Sequence, residues 1–180
     1  MNEIALAIRV LVALVFLTAA LGKTRHRLAF QGVVANYRLI PDFAVPTFAL
    51  LLPLVEAAVA AALLFAPPSW PEVSAAVLLI LFAAAMAINI SRGRRRIDCG
   101  CFQSALKQTL SWTLVGRNVG LALLLAVPAT VSEAALPDLG AVEALLIGTV
   151  LFVLLQSMNI LWSVVPAWRQ RGPLATGDGK

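Results

Sequence analysis

The sequence is poor in charged residues. Only 13% of its 180 residues are Asp, Glu, Lys or Arg, whereas about a quarter of the residues of a soluble domain are charged. The apolar residues make up 61% of the chain and come in long blocks instead of alternating with polar positions. A water-soluble fold would need more polar surface than this, so most of the chain is expected to lie in a membrane.

Acidic residues are fewer than basic ones, and the net charge of +5 would suit a nucleic-acid partner. The basic residues, however, are not spread over one face. They form three clusters between the apolar blocks, which is typical of the loops of membrane proteins. We therefore expect contact with the lipid bilayer and no nucleic-acid partner.

The N-terminus lacks the positive region of a secretory signal, because the chain begins Met1-Asn2-Glu3. The apolar stretch that follows, 4–22, is long enough to span a bilayer. Cleavage near residues 19–22 is the alternative, and a retained helix is the interpretation adopted here.

Five stretches contain the roughly 20 predominantly apolar residues that are needed to cross about 30 Å of hydrocarbon. They are residues 4–22, 44–66, 73–90, 111–127 and 142–165. Prolines lie at the joints between them, where helices are expected to break. The sequence thus predicts an all-α fold, a polytopic transmembrane helical bundle of about five helices. It forms one domain over 1–168, followed by a short polar cytoplasmic tail at 169–180.

The loops alternate in their content of Lys and Arg. The first loop, 23–43, carries four and the third, 91–110, carries five, whereas 67–72 and 128–141 carry none. Short loops rich in Lys and Arg stay in the cytoplasm. This predicts a multi-pass protein with the N-terminus outside the cell and the C-terminus in the cytoplasm. Within the first loop, apolar residues at 30, 33, 34 and 37 predict a short interfacial helix.

Two spans contain ionisable residues at depths where they are costly. Glu56 lies near the middle of the second span, and an ionised carboxylate there normally faces the bundle interior. Arg117 and Asn118 lie in the fourth span, and Arg117 either reaches Glu56, the preferred contact, or extends to the interface. Gly116 and Gly120 form a GxxxG pattern that permits close helix approach. These polar groups either hold helices together or line a site for a proton, a quinone or a peptide group.

The chain has only two cysteines, Cys99 and Cys101, separated by Gly100 and preceded by Asp98. A disulfide across one residue closes a small, strained ring, and strained disulfides are readily reduced. Gly100 supplies the backbone freedom that such a ring needs. Three arginines upstream favour the thiolate, while Asp98 opposes it. The spacing favours a redox-active dithiol.

Two other interpretations of the cysteines stay open. They are two inert, reduced thiols at a cytoplasmic interface, or they are zinc ligands. Zinc takes about four ligands. Asp98 and the lone His26 are poor candidates to complete a set with the two cysteines, unless two chains each donate two sulfurs. We therefore expect no metal, and we expect His26 to be a surface residue.

These motifs together resemble those of the methylamine utilisation protein MauE family, a group of DoxX-like, redox-associated membrane proteins. The resemblance runs from residue 4 to about 126, and Gln103 departs from the glycine expected after Phe102. The residues that carry it are Gly22-Lys23, 37–41, Glu56, 89–93, 97–102, Trp112 and Arg117-Asn118.

The resemblance implies a DoxX-like four-helix core plus a C-terminal helix. It also implies a location in the bacterial inner membrane, so that the N-terminus would be periplasmic and the C-terminus cytoplasmic. It also implies a role in methylamine utilisation, in which the protein assists processing, transport or disulfide formation and isomerisation of the methylamine dehydrogenase small subunit. A thioredoxin-like periplasmic protein would be the partner, and another disulfide-containing client is the alternative. Cys99 and Cys101 would be the redox pair, supported by Asp98, Gly100, Arg92 and Asn89. No cofactor is expected, although a quinone is left open.

The charge rule and the implied role conflict over the side on which the cysteines work. The rule places the pair in the cytoplasm, while the client is periplasmic and about 30 Å of bilayer lies between. Either the cysteine loop dips into the bundle, or another subunit or a quinone completes the path. Two alternatives to a redox component remain: a non-enzymatic scaffold for the maturation partner, and a quinone-linked or small-solute transport subunit that uses Glu56.

Overall fold

All regular secondary structure is helical in the residues that the computed structural model describes, which are 2–67, 69–94, 110–126 and 139–170. A single 3-10 turn, Asp42–Ala44, precedes the third helix. The six α-helices are α1 Asn2–Arg25, α2 Arg27–Tyr37, α3 Val45–Phe65, α4 Trp70–Ser91, α5 Trp112–Leu124 and α6 Leu139–Gln170. The predicted all-α helical bundle is confirmed.

Within the described part of the chain, three segments are long and apolar enough to cross a membrane, and they match the first three predicted spans. They are Glu3–Arg25, Asp42–Phe65 and Trp70–Ser91. Helix α5 has 13 residues, which is about 20 Å at the rise of an α-helix, and the chain beyond 126 lies outside the described residues until α6. The five-span count therefore stays a prediction.

Helix α1 lies at the centre of the bundle. Its sequence is apolar on nearly all sides, which is typical of a helix that is covered all round. Phe16 is 2% exposed and shares a core cluster with Leu63 of α3, Leu79 of α4 and Leu121 of α5. Helices α3 and α4 are buried on one side only and expose apolar side chains such as Phe65 on the other. Those outer faces suit contact with lipid.

Helix α6 packs tightly against α1 at Gly148. A Cβ atom built there would lie 2.7 Å from the carbonyl oxygen of Ala7 and 2.8 Å from Cβ of Val10. At Gly116 and Gly120, a Cβ would meet no heavy atom of the described residues within 4 Å. The GxxxG pattern therefore does not mark the close approach within the described bundle.

Gly148→Ala is expected to destabilise the protein by about 1–3 kcal/mol, because the added methyl group overlaps backbone that cannot turn away. Gly116→Ala is the matched control, and it should leave stability unchanged or raise it slightly, since alanine favours the helix. Thermal unfolding of the purified protein in detergent measures both. An unchanged midpoint for Gly148→Ala would contradict the packing of α6 on α1.

Helix α2 confirms the helix predicted within the first loop. Phe30 and Val34 pack against Val45 and Ala49 of α3. His26, between α1 and α2, is exposed as expected. Helix α2 ends at Tyr37, and the left-handed backbone of its C-cap residue, Arg38 (φ 49°), turns the chain toward α3.

The two ends of the bundle differ in charge. At one end, which we term the basic end, α1 and α4 finish and α3 and α5 begin. The arginines that the structure describes at this end are Arg25, Arg27, Arg38, Arg92 and Arg94. At the other end Arg9 of α1 contacts the last turn of α3 and Glu72 in the first turn of α4. Helices α1 and α3 are therefore antiparallel.

Candidate functional site

Glu56 forms a buried ion pair with Lys23. The carboxylate is fully buried in α3, and Nζ of Lys23, which is 7% exposed, donates to its Oε1 atom. Sequence analysis counted Lys23 among the cations of the first loop, and that assignment is wrong because α1 continues to Arg25. The lysine thus points from the last turns of α1 into the bundle, where it neutralises the carboxylate.

Arg117 and Asn118 of α5 lie beside this pair. Together with Lys23 and Glu56 they line a cavity of about 20 Å³, enough room for about one water molecule. Nη2 of Arg117 donates to Oδ1 of Asn118 over 3.3 Å. Within the described residues, Nδ2 of Asn118 has no hydrogen-bond acceptor. The structure thus brings together the three polar residues singled out in the spans and adds Lys23 to them.

A second, larger cavity begins on the other side of Lys23. Its volume is about 320 Å³, and its walls come from α1, α2, α3, α4 and the turn between α2 and α3. Apart from Lys23 and Tyr37, the lining is apolar: Phe30, Val33, Val34, Leu39, Ile40, Phe48, Leu52, Leu78, Leu81, Phe82, Ala85 and Met86. Lys23 and Phe82 line both cavities.

Two aromatic rings flank the lysine. Its Nζ atom lies 5.4 Å from the centre of the Phe30 ring and 5.2 Å from that of Phe82. Both distances suit cation–π attraction, which is stronger where water is excluded. Sequence analysis missed this arrangement, although Gly22-Lys23 was among the residues that carried the family resemblance. The only sequence signal for it was a lysine that directly follows an apolar span.

Helix α4 ends in a Schellman motif at the basic end. Gly93, with φ of 75°, donates its N–H to the carbonyl of Ile90 over 3.0 Å, and Arg94 donates to that of Asn89 over 2.9 Å. Glycine adopts this left-handed conformation without steric cost. The Asn89 side chain is fully buried and donates to the carbonyl of Ala85 over 3.1 Å. Asn89 and the C-cap residue Arg92 therefore belong to the structure that ends α4.

The chain is next described at Leu110, also at the basic end. Leu110 and Leu114 pack against Met86 and Ile90 of α4, with Tyr37 of α2 at the edge of this cluster. Ser111 caps α5 by accepting the N–H of Leu114 at its side-chain oxygen over 3.4 Å. Both flanks of segment 95–109 are thus packed at the basic end.

Four predicted site residues fall within segment 95–109, which lies outside the described residues. They are Asp98, Cys99, Gly100 and Cys101. Their assignment as a redox pair with supporting neighbours stays a prediction from the sequence.

Comparison with known proteins decides the family. The sequence model of a family described as methylamine utilisation protein MauE matches residues 1–131. The chain belongs to this family. A MauE protein of Paracoccus denitrificans is 50% identical over an alignment of 151 residues that covers 78% of this chain and 81% of the relative. No solved structure matches the chain.

Two further MauE proteins are similar over different shares of the chain. The protein of Paracoccus versutus is 42% identical over 160 residues, covering 86% of this chain and 85% of the relative. The protein of Methylorubrum extorquens is 45% identical over 117 residues, covering 64% of this chain and 63% of the relative. The MauE match contains all of α1–α5, and with them both cavities, the buried ion pair and the cysteine pair.

Proposed function

We propose that this chain works in methylamine utilisation, as a membrane component that assists maturation of the methylamine dehydrogenase small subunit. In this proposal Cys99 and Cys101 are the redox pair. The names of its MauE relatives support the first part, and the spacing of the two cysteines supports the second. A thioredoxin-like periplasmic protein is the proposed partner.

One structural observation carries the proposal beyond the family name. The cluster of Lys23, Glu56, Arg117 and Asn118 is buried between α1, α3 and α5. The chain that holds the cysteines leaves α4 and rejoins α5 at the basic end, next to the packed residues Met86 and Leu110. Both flanks of the cysteine segment lie at the end of the bundle where α1 finishes with Lys23, and Lys23 and Glu56 are titratable groups. Thiol–disulfide exchange consumes and releases protons, which such groups could accept or supply.

The proposed chemistry is ordinary thiol–disulfide exchange. One thiolate of the pair attacks a disulfide of the partner or client and forms a mixed disulfide. The second thiol, after losing its proton, attacks the mixed bond, closes the Cys99–Cys101 disulfide and releases the other protein with two thiols. Run in reverse, the same steps reduce the pair and place a disulfide in the client. Alternation of the two directions isomerises wrong disulfides.

Replacement of both cysteines, Cys99→Ser with Cys101→Ser, tests the proposal in a methylamine-grown host that lacks its own copy of the gene. Methylamine dehydrogenase activity is expected to fall to the level of the strain without the gene, because a hydroxyl cannot form a disulfide. Free thiols should accumulate in the small subunit, as counted by mass spectrometry after alkylation. Immunoblotting must show normal amounts of the variant. Normal activity with intact client disulfides would exclude the redox role and leave a scaffold.

Side-resolved labelling tests where the pair works. The basic end is expected in the cytoplasm, since short loops rich in Lys and Arg are retained there. After reduction of the protein, a membrane-impermeant maleimide should therefore label Cys99 and Cys101 in inverted vesicles and leave them unlabelled in spheroplasts. Labelling from the periplasm alone would reverse the orientation, and labelling from both sides would place the pair in a cavity open to both faces.

A further inference from the structure

We infer that the 320 Å³ cavity binds the head group of a lipid-soluble quinone, with Nζ of Lys23 donating a hydrogen bond to a quinone carbonyl. Small-molecule sites typically have volumes of about 300–1,000 Å³, apolar walls and few polar groups. This cavity has that volume, apolar walls, an ammonium group at Lys23 and a phenol at Tyr37.

The position of the cavity gives a membrane-borne ligand a way in. Three of its lining residues lie on the exposed outer surface: Leu39 is 39% exposed, Phe48 is 42% exposed and Leu81 is 57% exposed. Phe48 and Leu81 belong to the two helices whose outer faces suit contact with lipid. A head group could occupy the cavity while its isoprenoid tail extends between these residues into the bilayer.

The charge at the cavity favours a neutral acceptor over an anion. Lys23 is already neutralised by Glu56, and a carboxylate entering the cavity would lie close to that buried carboxylate. A quinone carbonyl accepts one of the remaining N–H groups of the ammonium and adds no charge. The Phe30 and Phe82 rings beside the ammonium offer flat apolar surfaces against which a quinone ring can pack.

The inference rests on the proposed function in one respect, because it names the electron acceptor for the cysteine pair. Oxidation of the two thiols of Cys99 and Cys101 to a disulfide releases two electrons and two protons. One quinone takes up both and becomes a quinol. After each exchange in which the client gains a disulfide and the pair is reduced, this step would return the pair to the disulfide.

Binding of decylubiquinone to the purified full-length protein in detergent micelles, measured by calorimetry, tests the inference. The protein is expected to bind with one site per chain. Ala85→Phe fills the cavity from α4 and should weaken binding about tenfold or more. Ala84→Phe is the matched control, because residue 84 is exposed on the outer surface and does not line the cavity. It should bind like the unaltered protein.

A second variant keeps the test decisive if Ala85→Phe fails to fold. The double substitution Lys23→Met with Glu56→Gln removes the donor and its counter-charge together, and it should also weaken binding about tenfold. Unchanged affinity in both variants would overturn the inference. Displacement of decylubiquinone by an equal concentration of decanoate would overturn the quinone assignment in favour of an anionic amphiphile.

The cysteine variant separates this inference from the proposed function. Binding needs no thiol, so Cys99→Ser with Cys101→Ser should bind decylubiquinone normally. If that variant binds normally and still supports maturation, the redox role fails while the quinone site stands. If neither the unaltered protein nor any variant binds decylubiquinone, the proposed quinone site is wrong, while the redox role of the cysteines is not affected.

Discussion

Lys23→Met is expected to destabilise the protein by about 3–5 kcal/mol, because it removes the ammonium that pairs with the fully buried Glu56 carboxylate. Glu56→Gln should be milder. The ammonium left behind keeps the amide oxygen as an acceptor and retains its attraction to Phe30 and Phe82, which contributes about 0.5–2 kcal/mol. The double variant should recover most of the loss, since replacement of both partners of a buried pair is often close to neutral.

The stabilities of these variants are measured by thermal unfolding in detergent, with size-exclusion chromatography as the readout of the folded fraction. Arg25→Met is the matched control, because Arg25 lies two residues further along α1 and is exposed. It should unfold like the unaltered protein. Equal losses from Arg25→Met and Lys23→Met would contradict the buried pair. For function, Glu56→Gln with a normal protein level and lost maturation would indicate a role in the cavity beyond holding α1 to α3.

Arg9→Met is expected to destabilise the opposite end of the bundle by about 3 kcal/mol or more, through the loss of charge-assisted hydrogen bonds. Nε of Arg9 donates to the carbonyl of Leu63 over 2.7 Å, and Nη2 donates to that of Ala66. These carbonyls are among those that the end of α3 leaves without helical partners. Nε also lies 3.2 Å from Oε1 of Glu72, which is 1% exposed.

Glu72 explains why the loss should be large. Its other oxygen, Oε2, accepts the N–H of Ser69 over 2.8 Å in the capping box that begins α4. Without Arg9, the buried Glu72 carboxylate would keep its hydrogen bond in the capping box but lose the cation that pairs with it. The stability of Arg9→Lys should lie between those of the unaltered protein and Arg9→Met, because one ammonium group cannot reproduce the several N–H donors of the guanidinium.

The same unfolding assay measures this second series. Glu3→Gln serves as a charge control, because Glu3 is exposed near the start of α1. It should have no effect. Full stability in Arg9→Met would show that the contacts to α3 and α4 are dispensable.

Much of the architecture followed from hydropathy alone. The first three spans were predicted within a few residues of the helices observed, because a bilayer demands long apolar stretches and satisfied backbone hydrogen bonds. The short helix α2 was also predictable, since residues 30, 33, 34 and 37 recur at helical spacing. The boundary at Lys23 was wrong because a charge was taken as the end of the helix. A charge with a buried partner can lie inside a helix, and hydropathy does not show the partner.

Three residues of the candidate site were predictable from the sequence, but the ion pair between Lys23 and Glu56 was not. Glu56, Arg117 and Asn118 were identified because polar groups within apolar spans are costly. Their meeting on one cavity depends on how α1, α3 and α5 cross, and the period of a single helix does not determine its register against its neighbours. For the same reason Gly148 was overlooked, while the GxxxG pattern at Gly116 and Gly120 drew the prediction of close approach.

The sequence by itself determined that this is an all-α membrane protein of the MauE family with a Cys-Gly-Cys element, because low charge, long apolar blocks and local motifs are properties of the chain alone. Only the tertiary structure decided that Lys23 pairs with Glu56 and lines both the small cavity shared with Arg117 and Asn118 and the larger apolar one. The physical reason is that a buried charge is stabilised by whatever group the packing brings to it, and packing joins residues that are 33 positions apart in the chain.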